Sequence, residues 1–148
     1  MLKGIDPLLS PDLLYVLAAM GHGDDIALVD GNHPAETVAA ETTSGQLIRL
    51  PGVAIEDAAR AILSVLPLDS FVDAPVRRME VIGAPDELPE AQLAVKAEIG
   101  RSGGSPIQIG GLERFAFYEA AKSAFAVVQV GDCRPYGCFL FKKGVLNP

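Results

Sequence analysis

Met20-Gly21-His22-Gly23-Asp24-Asp25-Ile26-Ala27-Leu28-Val29-Asp30 is the stretch from which the fold is read. A helix runs into its first residues, and Gly21 is well placed to close that helix in a left-handed conformation. Ile26 to Val29 is a short apolar run and reads as a buried strand. Asp30 stands at the strand's carboxyl end, just before the turn Gly31-Asn32-His33-Pro34. Open α/β sheets bind ligands at the carboxyl ends of their strands. One short segment therefore offers a glycine-flanked imidazole and three carboxylates near a pocket rim.

Upstream, Ser10-Pro11-Asp12 is a helix start: Ser as N-cap, Pro at the first helical position, an acid in the first turn. Leu13, Leu17 and Met20 recur at helical spacing behind it. Downstream, a short helix is expected near Ala35 to Ala40, and Gln46 to Leu50 reads as a second strand stopped by Pro51-Gly52. Ile55, Ala58, Ala59, Ile62, Leu63 and Leu66 lie on one face of a helix that Pro67 ends. A third strand is expected over Arg77 to Ile82 and a more polar helix over Glu87 to Ile99. Gly100 to Pro106 has the composition of a mobile loop. Ile107 to Ile109 reads as a short strand and Leu112 to Ser123 as the last helix. Phe125 to Val130 is apolar enough for a central strand covered on both faces, and a final strand spans Phe139 to Lys142. Helices and strands alternate, which predicts one three-layer α/β domain over residues 1–148. Strand order and direction stay open at this level.

The 148 residues carry a formal net charge of -7, which argues against nucleic acid and anionic membrane surfaces as partners. The N-terminal residues lack a long apolar core of the secretory type. No apolar run approaches the roughly 18 residues of a membrane span. Two cysteines, Cys133 and Cys138, are too few for a disulfide framework, so free thiols in a reducing cytoplasm are the default.

Several residues can carry chemistry. His22, between two glycines, is expected to be exposed and approachable. It reads either as a surface histidine after a helix end or as a general acid–base. Asp24 and Asp25 read as turn residues. Asp30 can orient His22, accept ligand hydroxyls or cap the next helix. Arg114 and Tyr118 are four apart and share a helix face, where a guanidinium and a phenol suit polyol hydroxyls. Tyr136 precedes Gly137 at a strand entry, and Asp69 lies in a short loop after a helix. His22, Asp24, Asp30 and His33 form the one conceivable metal set, at a weak spacing. There is no Walker loop, no nucleophile elbow and no Rossmann glycine fingerprint.

Taken together, four segments resemble the L-fucose mutarotase and D-ribose pyranase family. They are Leu8 to Leu14 running through Met20-Gly21-His22-Gly23-Asp24 to Asp30; Leu66-Pro67-Leu68-Asp69-Ser70-Phe71; Glu113-Arg114-Phe115-Ala116-Phe117-Tyr118-Glu119; and Tyr136-Gly137 with Lys142-Lys143-Gly144-Val145. The likeness covers nearly the whole chain and is poorest from Ala84 to Gly104. The arginine-aromatic-tyrosine helix is closer to the fucose branch. The resemblance implies a mixed β-sheet flanked by helices, a ring-shaped homodecamer, and cofactor-independent exchange between the anomers of a monosaccharide. By matching positions it implies that His22 is the catalytic acid, with Asp30 beside it in the reaction. It further implies that Asp30, Asp69, Arg114, Tyr118, Tyr136, Gly137 and Cys138 surround the sugar.

Two positions depart from the family pattern. Cys138 stands where the family commonly has Asn, and a thiol is a poorer donor and acceptor than an amide. His33 stands where an aromatic ring is usual. Both changes bear on which sugar is bound more than on the reaction. Two other readings remain alongside: a non-catalytic monosaccharide-binding accessory of an uptake system, and a metal-dependent hydrolase built on His22 and His33.

Overall fold

The strand read from Ile26 to Val29 is present as β1, Asp25–Val29, at the heart of the sheet. The computed structural model describes residues 1–102 and 105–147. In chain order its other elements are α1 (Pro11–Ala19), α2 (Ala35–Ala39), β2 (Leu47–Leu50), α3 (Ile55–Leu63), β3 (Val76–Met79), α4 (Glu90–Ser102), β4 (Ile109–Leu112), α5 (Arg114–Lys122), β5 (Ala126–Val130) and β6 (Cys138–Lys142).

The six strands form one sheet in the order β2-β5-β1-β6-β3-β4. β1 is parallel to β5 and antiparallel to β6. β2 is parallel to β5, β4 is parallel to β3, and β3 is antiparallel to β6. Five strands therefore run one way, and β6 alone runs back between β1 and β3. The reversal has a direct consequence. The carboxyl ends of β1, β3, β4 and β5 share one edge of the sheet with the start of β6. The end of β6 lies at the opposite edge, beside the start of β1.

Strand side chains alternate between faces, and both faces are covered. Ile26 and Leu28 join a core cluster with Val128, Phe139, Phe141 and residues of α1, α3 and α4. Ala27 and Val29 join a second cluster with Val127, Leu140 and residues of α2 and α5. The predicted three-layer α/β architecture with a mixed sheet is thus observed. Ile55 and Ile62 of α3 are fully buried, each worth about 1.5–3 kcal/mol of apolar burial.

Local signals explain the helix starts. Ser10 Oγ accepts from the Leu13 N–H at 3.2 Å. The Glu113 carboxylate accepts from the N–H groups of Phe115 and Ala116 and so begins α5 two residues later than its apolar pattern suggests. Other boundaries also move. α1 ends at Ala19 because Met20 is extended, and the left-handed glycine is Gly23 at φ +87°, not Gly21. β4 runs to Leu112 through Gly110 and Gly111, which leave room for Ala74 and the Glu80 side chain of the neighbouring strand segment. α4 continues through Gly100 to Ser102, so the first part of the expected loop is helical, while residues 103 and 104 lie outside the described residues.

Candidate functional site

β1 carries His22 just before its start and Asp30 just after its end. Its five residues span about 17 Å at the usual strand rise. The two groups that look adjacent in sequence therefore sit at opposite edges of the sheet, each with its own partners.

At the starting edge, His22 is approachable, with 46% of its side chain exposed. Its Nε2 lies 3.1 Å from Asp69 Oδ1, and its ring packs at 5.5 Å against Phe71. Asp69 is buried and also accepts the Phe71 N–H at 3.0 Å. That backbone bond, aided by His22, holds the Asp69 carboxyl below the usual range. An ionised carboxylate only accepts, so Nε2 carries the proton in the neutral ring and Nδ1 keeps the free lone pair. Asp69, not Asp30, orients the imidazole.

The segment after β6 builds this edge. The Lys143 carbonyl accepts from Gly23 N–H, and Lys143 Nζ donates to the Leu17 and Met20 carbonyls at the end of α1. A Cβ on Gly144 would lie 2.5 Å from the Leu68 carbonyl oxygen and 2.8 Å from Asp69 Cα, so the chain passes there only as glycine. Asp25 is not a solvated turn residue. It is a largely buried carboxylate bonded to Arg77 at 2.6 Å and to Lys142 at 3.1 Å. Asp24 turns back to accept the Gly21 N–H at 2.7 Å.

At the other edge, the register Val29↔Cys138 places Asp30 beside Gly137. Asp30 accepts from the N–H groups of Asn32 at 2.8 Å and Gly137 at 3.0 Å. Burial nevertheless outweighs these bonds and raises its pKa above the usual carboxylate value. Cys138 Sγ lies 3.7 Å from Asp30 Oδ2 and 3.7 Å from His33 Nδ1. Burial pushes the thiol well up, and the Asp30 charge adds to this. Burial also lowers His33 to about 4, so that ring is neutral at ordinary pH.

Asp30, Asn32, His33, Arg114, Tyr118, Tyr136 and Cys138 line a cavity of about 240 Å³, with Met79, Ile82 and Pro135 completing its wall. This is below the usual range for drug-sized ligands and suits a small polar one. Arg114 Nε donates to the Tyr118 hydroxyl at 3.2 Å, as their four-residue spacing predicts. The Ile82 N–H donates to the Tyr136 hydroxyl at 3.4 Å. Each phenol, used as an acceptor, keeps its own proton for a ligand oxygen. A larger cavity of about 630 Å³ touches Asp69, but among the described residues Asp69 and Asp73 are the only titratable groups on its largely aliphatic wall.

The structure thus brings together Asp30, Arg114, Tyr118, Tyr136, Gly137 and Cys138, and separately His22 with Asp69. Within one chain His22 and His33 do not meet. Among the described residues no group of three or more His, Cys, Asp or Glu side chains is arranged to hold a metal ion. The hydrolase reading built on those two imidazoles therefore has no site among the described residues of the chain.

Two buried amides escaped the sequence reading. Gln129 Nε2 donates to the carbonyls of Asp30, Gly31 and His33 at 3.2–3.4 Å, while Arg49 donates to its Oε1. It is the one polar residue in Ala126–Val130, and that was the available signal. Gln92 lies on the buried face of α4 with Ala91, Val95 and Ile99.

Residues 3–146 match the model of the RbsD / FucU transport protein family. Fucose mutarotase of Homo sapiens is 43% identical, over 99% of this chain and 97% of its own. The crystal structure of the Streptococcus pneumoniae fucose mutarotase in complex with L-fucose superposes with a TM-score of 0.88 at 38% identity, covering 99% of this chain and all of that one. Bacillus subtilis RbsD complexed with D-ribose shares the fold, with a TM-score of 0.72 at 21% identity over 99% of this chain. With a family model matched over residues 3–146 and relatives 38–43% identical over nearly the full chain, the chain belongs to the RbsD / FucU family.

Proposed function

We propose that this chain is a mutarotase that interconverts the α and β anomers of a pyranose, L-fucose or a close relative, without a cofactor. The observation that carries this is the small cavity at the strand ends, where Asp30, Arg114, Tyr118 and Tyr136 converge. The relatives named fucose mutarotase over nearly the full chain support it.

Anomers exchange through the open-chain aldehyde. The bond from the anomeric carbon to the ring oxygen breaks as that oxygen gains a proton and the anomeric hydroxyl loses one. Rotation and closure on the other carbonyl face reverse both transfers. In this proposal His22 in its imidazolium form, held at Nε2 by Asp69, gives the Nδ1 proton to the ring oxygen on opening and takes it back on closure, while the Asp30 carboxylate takes the proton of the anomeric hydroxyl and returns it. Asp30, relieved of orienting His22, accepts a sugar hydroxyl, and Arg114, Tyr118 and Tyr136 hold the others. The Cys138 thiol replaces an amide contact and shapes sugar preference.

His22 and the cavity lie at opposite edges of one chain, so the reaction requires a second copy. The starting edge of one subunit meets the cavity edge of the next, as in the ring of ten copies that the resemblance implies. Exposed apolar residues flank both edges: Phe71, Val72 and Leu146 at one, Ile82 and Phe115 at the other. We place the protein in the cytoplasm, consistent with its free cysteines. Residues 1–148 act as one sugar-binding domain, with neither nucleic acid nor membrane as partner. Among the described residues no helix is long and apolar enough to cross a membrane.

NMR saturation transfer between anomeric protons, over a panel including fucose, ribose and galactose, tests the reading. L-fucose exchange is expected to accelerate most. Replacing His22 by Ala should remove about 10²–10⁴-fold of the acceleration and leave sugar binding detectable. The position of His22 away from its own chain's cavity is the observation that favours the accessory reading. Binding by the native protein with no acceleration would establish that reading and refute catalysis.

A further inference from the structure

We propose that Gln92 is a positioning residue for the sugar site, acting through Tyr136. Tyr136 is the one non-glycine residue with positive φ among the described residues, at +61°. L-residues adopt that conformation at a cost, so something must hold it. Its neighbours do not supply the hold, since Pro135 and Gly137 leave its carbonyl without a strand partner. The Gln92 side chain does. Its Nε2 donates to the Tyr136 carbonyl at 2.8 Å and to the Met79 carbonyl at 2.7 Å. These two carbonyls belong to residues that both line the 240 Å³ cavity.

The orientation of the amide is forced. Arg78 donates to Gln92 Oε1 at 3.3 Å and can only donate, while the two carbonyls can only accept. Gln92 is 1% exposed, so water cannot stand in for its bonds. One side chain on α4 thus ties the end of β3 to the turn that enters β6 and sets where the Tyr136 phenol points. Nothing in Gln92 reaches the cavity itself, so it acts by placement.

The inference rests on the reading of Tyr136 as a sugar ligand, and a double-mutant cycle separates the two. KM and kcat for L-fucose mutarotation are measured for Gln92→Leu, Tyr136→Phe and the double variant. Val95→Ala serves as a control that loosens the same helix face. Gln92→Leu is expected to raise KM roughly tenfold with a smaller change in kcat. The double variant should be no worse than the more severe single, and Val95→Ala should keep the native KM. Gln92→Glu keeps the Arg78 acceptor but loses both donors, so it should raise KM in the same way and stands in for Gln92→Leu if that variant folds poorly. An impaired Tyr136→Phe beside a native-like Gln92→Leu and Gln92→Glu, or effects that multiply in the double variant, overturn the inference alone. A native KM in Tyr136→Phe overturns the sugar contact and the inference with it.

Discussion

Cys138 and His33, the two positions that the resemblance in sequence marks as departures, touch. The thiol stands 3.7 Å from the imidazole Nδ1 and 3.7 Å from the Asp30 carboxylate. Both side chains line the same cavity. The His33 ring packs edge-on against Phe117 and Tyr118, and its Nε2 is buried with no hydrogen-bond partner among the described residues. This environment disfavours the charged ring and lowers its pKa from 6.5 to about 4. Between those values the unfolded chain binds more protons than the native one, so native stability falls as pH drops from 6.5 towards 4. His33→Phe should flatten that acid slope, by a difference of about 3 kcal/mol at pH 4. Urea unfolding at fixed protein concentration, repeated from pH 7 to 4, measures it. Equal slopes in the two proteins would mean that the ring charges freely in the native state.

Strand direction decides where every site residue falls, and it is the feature least visible in the chain. β1, β5 and α3 were legible from apolar periodicity because each is buried along a continuous face. β4 was displaced in the reading because Gly110 and Gly111 look like a loop, yet they pair with Arg77 and Arg78 of β3. Residue type identified His22, Asp30, Asp69, Arg114, Tyr118 and Tyr136 as chemistry-bearing, and the resemblance added Gly137 and Cys138. None of this showed that a buried strand puts His22 and Asp30 at opposite edges, because eight positions in sequence carry no direction. The reversed β6 then delivers Gly137 to Asp30. A Cβ on Gly137 would lie 3.1 Å from Ile55 Cδ1 and 3.3 Å from Asp30 Cβ. Gly137→Ala should therefore push the β6 entry away from Asp30 and weaken the Gly137 N–H bond to it. The expected cost is about 1–3 kcal/mol of stability, with a rise in KM for L-fucose. Thermal unfolding and mutarotation kinetics check the two parts. A variant with native KM would show that the Asp30–Gly137 contact does not shape the site.

At the scale of the whole molecule, our proposed function divides the chain's chemistry between two half-sites, one acid–base and one sugar-binding. The edge that carries His22 and Asp69 is flanked by Phe71, Val72, Val145 and Leu146, and the cavity edge by Ile82 and Phe115. Two unlike surfaces that fit each other make a heterologous contact, which closes into a ring when the rotation allows. Our proposed function needs that contact, and complementation tests it. His22→Ala and Asp30→Asn should each be inactive as pure assemblies, since each spoils every composite site. Co-expressed in equal amounts, they should regain about a quarter of native exchange. A site is whole only where an Asp30→Asn subunit supplies His22 to a His22→Ala subunit, one of four equally frequent neighbours in a heterologous ring. Saturation transfer on the co-purified mixture reads this directly. If His22 reached the cavity within its own chain, every subunit would carry a spoiled site and the mixture would stay inactive, which would refute the shared site.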